Sequence, residues 1–113
     1  MYGTGWTGTH VTDRLIAFFR AHPGVTVSID GGDPAPGTID GAELVRVCRR
    51  VLGPTTPAAT VLITYARARA GGTSIRDLCD GRGWKKPSLF RQVRTASHDV
   101  AAWLAHWRSR NIS

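Results

Sequence analysis

Glycine and proline cut this chain into short lengths, and each length between the cuts carries apolar residues at helical spacing. His22-Pro23-Gly24, Gly53-Pro54, Gly71-Gly72 and Gly83 each stop a periodic segment. Val11, Leu15, Ile16, Phe18 and Phe19 predict a first helix from about Thr9 to Ala21, anchored by Trp6. Thr9 or Thr12 can cap it, and Asp13 suits its first turn. Asp40 followed three residues on by Glu43 is a capping-box arrangement. It starts a second helix with the stripe Leu44, Val47, Cys48, Val51 and Leu52. Thr56-Pro57 is a cap followed by a first-turn proline. It opens a third helix to about Ala70, with Val61, Leu62, Tyr65 and Ala66 inward. Thr73 or Ser74 caps a short fourth helix, Ile75 to about Gly81. Pro87 opens the last and longest, to about Arg108.

The expected fold is therefore mainly α, a helical bundle in one domain of 113 residues. Residues 1–56 form a supporting or oligomerising part, and 57–113 hold the last three helices. One stretch departs from the pattern. Val25-Thr26-Val27-Ser28-Ile29 alternates with period two and reads as a strand. The loop Gly31–Gly37 either turns a short β-ribbon back through Thr38-Ile39 or leaves an extended linker between the first two helices.

Charge divides the chain in the same way. Residues 1–56 hold five basic and five acidic groups, whereas 57–113 hold ten basic and three acidic ones. The whole net charge of +7 thus lies in the second half. Such asymmetry points to a polyanionic partner.

Within that half, Ser74–Val93 carries a particular spacing. Two short helices that cross steeply over a tight turn need an apolar residue followed by a small one at the crossing. Leu78 and Cys79 meet this need. Four residues on, the turn needs a residue tolerant of positive φ, which Gly83 supplies. Trp84 then plugs the turn, and Leu89 and Val93 send apolar side chains inward from the second helix.

This spacing resembles the helix-turn-helix of bacterial repressors and of the promoter-reading domain of sigma factors. The likeness covers about twenty residues, or some fifty with 57–70 as the supporting helix. In that family the start of the second helix enters the major groove. The resemblance implies that Lys85, Lys86, Ser88 and Arg91 are reading positions, with Gln92 at the edge of that face. Arg76, Arg82 and Arg94 complete the candidate DNA-binding set. Three residues depart from the pattern: Gly81 weakens the end of the fourth helix, Arg82 stands where a small or apolar residue is usual, and Pro87 supplies no contact of its own. More broadly, Trp6-Thr7 and Val11-Thr12-Asp13-Arg14-Leu15 resemble the start of short phage- and prophage-type proteins that finish in a helix-turn-helix. That likeness implies a regulator or a small terminase subunit.

Leu89, Val93, Ala96, Val100, Trp103, Leu104 and Trp107 stripe a last helix about six turns long, more than reading DNA requires. Its far end is expected either to pack on the first helix through Phe18 and Phe19 or to contact a second copy, since repressors pair to read two half-sites. The competing function is an assembly module working through the Trp103/Trp107 face without nucleic acid.

Catalysis finds little footing. His98 and His106 are eight residues apart, and no metal-ligand spacing or phosphate loop occurs. Ser97, His98 and Asp99 are adjacent on a helix and so do not face one another. No catalytic residue, metal or cofactor is expected. Cys48 and Cys79 read as small buried residues of a cytoplasmic protein, with no apolar run of signal or membrane-spanning length. The expected partner is duplex DNA, with RNA open, and self-association is expected.

Overall fold

The computed structural model describes residues 6–25, 39–53 and 56–112, with side chains as far as Trp107. Five helices follow in order: α1 (Gly8–Ala21), α2 (Gly41–Leu52), α3 (Pro57–Ala70), α4 (Ile75–Arg82) and α5 (Lys86–Ile112). The mainly helical fold agrees with the sequence pattern. The segment read as a strand and its Gly/Pro loop lie outside the described residues, apart from Val25, which follows the turn that ends α1.

Helix α3 is the hub, packing against α1, α2, α4 and α5. Ala59, Val61, Leu62, Ile63 and Ala66 are all buried, on more than one face of the helix. The apolar spacing predicts one inward stripe. Surrounded on several sides, α3 instead buries Ile63 as well, while Tyr65 remains half-buried. Leu62 is fully buried, worth about 1.5–3 kcal/mol for such a side chain. Arg67, near the end of α3, lies 4.3 Å over the Phe19 ring and donates to the Val25 carbonyl at 2.6 Å, tying the exit of α1 to α3.

Local chemistry sets the helix ends. Asp40 accepts from the Glu43 N–H at 2.8 Å, as the capping-box spacing anticipates. Thr56 has two roles. Its Oγ1 accepts from the Ala59 N–H at 3.4 Å, and its hydroxyl donates back to the Leu52 carbonyl at 2.6 Å, joining the end of α2 to the start of α3. The first helix begins earlier than expected. Thr7, not Thr9 or Thr12, caps it by accepting from the His10 N–H at 3.1 Å. Trp6 stacks on the His10 ring at 4.4 Å, which fixes the chain entry one turn upstream. Thr12 instead donates to the Gly8 carbonyl, and Asp13 falls beyond the first turn. In α2, Leu44, Val47 and Cys48 of the expected stripe are buried and Val51 and Leu52 half-buried, and Val45 is buried as well because α2 packs on α1, α3 and α5 together.

The last helix has 27 residues, about 40 Å at 1.5 Å per residue, and the molecule's longest dimension is 46 Å. It starts at Lys86 rather than Pro87 and runs past Arg108 to Ile112. Its middle is core: Ser97, Val100, Ala101, Leu104 and Trp107 are buried, and α1 and α2 pack on α5. Trp103 stacks on Trp107 with ring centroids 6.5 Å apart. The buried Cys48 thiol is pushed up to about 12 by desolvation, so it stays protonated and serves as an apolar filler.

Helices α1 and α2 meet at a glycine. A Cβ on Gly41 would come within 2.6 Å of the Phe18 Cβ, on the side of α2 that faces α1. Alanine in place of a helical glycine ordinarily helps. Here Gly41→Ala is expected to destabilise the fold by about 1–3 kcal/mol, as overpacking does, measured by urea unfolding.

Candidate nucleic-acid interface

Helix α4 contacts only α3 and α5 among the described helices, so α4 and the parts of α3 and α5 that it touches form a corner of the molecule away from α1 and α2. Ser74 starts α4 by accepting from the Asp77 N–H at 3.1 Å. Leu78 and Cys79 then face the core, while Arg76, Asp77, Asp80 and Arg82 are exposed. The helix stops at Gly83, which adopts the left-handed conformation with φ 70° and ψ 23°. The N–H groups of Gly83 and Trp84 both donate to the Cys79 carbonyl, the latter at 2.9 Å. This is a Schellman-type ending, which depends on a residue tolerant of positive φ. Gly81 is accommodated inside α4, and Arg82 lies on the surface with its guanidinium 5.7 Å from the half-buried Trp84 ring. The departure at Arg82 therefore costs no burial of charge.

Helix α5 begins two residues after Trp84. The Lys85 carbonyl accepts from the Leu89 N–H at 2.9 Å, so Lys85 occupies the cap position of α5. The other four helices have side-chain oxygens at their caps, Thr7, Asp40, Thr56 and Ser74. A lysine cannot accept, so the first N–H groups of α5 have no capping oxygen from that residue. Helix termini of this kind suit anions.

Leu89 and Val93 point into the core, as the turn spacing requires. Lys85, Lys86, Arg91, Gln92 and Arg94 are exposed, and Ser88 is half-buried with its Oγ 3.5 Å from an Arg91 nitrogen. Every residue of the set thus reaches the surface on α4, at the turn that ends it or on the first turns of α5, Ser88 least so. Residues 74–94 contain six basic groups against Asp77 and Asp80.

One side chain here escaped the sequence reading. Phe90 is 40% exposed, and its ring meets the half-buried Tyr65 ring of α3 edge-on at 6.5 Å. It adjoins Leu89 in sequence but lies one helical step off the buried stripe. The residues Ser97, His98 and Asp99 are not brought together: Ser97 is buried and bonded to the Arg94 carbonyl, while His98 and Asp99 are exposed.

No protein-family model, curated protein or solved structure matches the chain.

The turn should be sensitive to its backbone alone. Nothing lies within 4 Å of a Cβ added at Gly83. Gly83→Ala is therefore expected to lose about 1–2 kcal/mol through left-handed backbone strain, and Gly83→Asn less. Thermal unfolding of the two variants measures the difference.

Proposed function

We propose that this chain binds duplex DNA, with α4, the Gly83 turn and the first turns of α5 acting as a helix-turn-helix. The observation that carries this reading is the coincidence of two features in one corner. A frame of Leu78, Cys79, Leu89 and Val93 fixes α4 on α5, and six cations surround it on the outside. Lys85 and Lys86, at the start of α5 where the cap residue supplies no side-chain oxygen, suit phosphate contact. Arg91 and Gln92 are the side chains suited to base edges, arginine to guanine and glutamine to adenine. Arg76, Arg82 and Arg94 extend the phosphate contacts to either side.

Duplex DNA is favoured over duplex RNA, because an α-helix fits the wide major groove of B-form DNA and not the deep, narrow one of A-form RNA. The rival assembly reading relied on Trp103 and Trp107. With Trp107 buried and Trp103 half-buried against it, that face has little apolar surface left for a partner. A phage-type regulator and a small terminase subunit both fit the DNA-binding reading, and both would act as more than one copy.

Binding should weaken steeply as salt rises, since cations on phosphates release condensed counterions. Replacing Lys85, Lys86 and Arg91 together by alanine is expected to abolish gel-shift binding while circular dichroism shows an unchanged helix content. Each lysine replaced singly should make the log–log salt slope shallower by roughly one. Affinity unchanged in the triple variant would overturn the site.

A further inference from the structure

Phe90 is the large hydrophobic residue left exposed among the described residues, and it does not stand on a neutral surface. Lys86 precedes it by four residues and Arg94 follows by four, so the three lie on one face of α5. Both cations are exposed. Tyr65 meets the ring edge-on, with 75° between the ring planes, which restricts its orientation at the surface. A held apolar ring between two cations matches a particular pattern in DNA. Phosphates flank the major groove, and the apolar group on its base edges is the C5-methyl of thymine.

We propose that Phe90 is a specificity-determining residue that selects thymine by packing its ring on that methyl group, with Lys86 and Arg94 holding the adjacent backbone. Tyr65 acts as a positioning residue for the ring. This rests on the DNA-binding reading and adds a base preference to it.

The test starts from duplexes enriched from a random pool by the unaltered protein. Each thymine of the enriched site is replaced in turn by deoxyuridine, which lacks only the C5-methyl. At one thymine the substitution is expected to weaken binding about four-fold, the ~0.8 kcal/mol of one buried methyl group. For Phe90→Ala that penalty should vanish while the salt slope stays the same. Phe90→Gln, which keeps the bulk, should behave likewise and serves if the alanine variant fails to fold. An equal deoxyuridine penalty in protein and variants overturns the proposal, as does a site in which no thymine methyl matters. Either result leaves salt-dependent DNA binding standing. Absence of salt-dependent binding by the unaltered protein removes the DNA-binding reading and this proposal together.

Discussion

Leu62 and its neighbours on α3 are buried because four other helices close around them, and the rest of the structure depends on that enclosure. A helix of 14 residues has little stability alone in water. Ala59, Val61, Leu62, Ile63 and Ala66 are all buried within that enclosure. Arg67 adds a polar tie at the far end, over the Phe19 ring and onto the Val25 carbonyl. With α3 held centrally, α1 and α2 occupy one part of the molecule and α4 the other.

Helix α5 joins these two parts, and its length follows from doing so. Its first turns flank α4 and expose Lys86, Arg91, Gln92 and Arg94. From Ser97 to Trp107 the same helix buries Val100, Ala101, Leu104 and Trp107, and α1 and α2 pack on α5. At the junction, a Cβ on Gly8 would lie 3.0 Å from the Ser97 Oγ, so the start of α1 runs close against the middle of α5. The candidate reading face is therefore the outer end of a helix whose other half is anchored in the core. Such a face is held rigidly, which is what base-edge contacts need.

Much of this was legible because it depends on local chemistry. Asp40, Thr56, Ser74 and Gly83 announce helix ends through hydrogen bonds made within a few residues, and each does so in the structure. The exposed cations were legible from register, once Leu78, Cys79, Leu89 and Val93 were taken as inward. What escaped depends on neighbours distant in sequence. The burial of α3 on more than one face reflects four partners, the burial of Val45 three, and the contact of the exposed Phe90 with Tyr65 the packing of α5 on α3. The cap at Thr7 escaped for a nearer reason: Thr7, Thr9 and Thr12 are equivalent as cap formers, and the start of α1 is set by where Trp6 settles on His10.

The proposed DNA contact lies at one corner of the molecule and not on its other basic surfaces. Arg46, Arg49 and Arg50 on α2, the first two half-buried, bring a second group of positive charge. Titrating labelled protein with a mixed-sequence duplex and following backbone amide resonances tests the claim directly. The account predicts shifts concentrated at Ser74–Arg76 and Gly83–Arg94. Shifts concentrated on α2, or around Trp103 and Trp107, would contradict it.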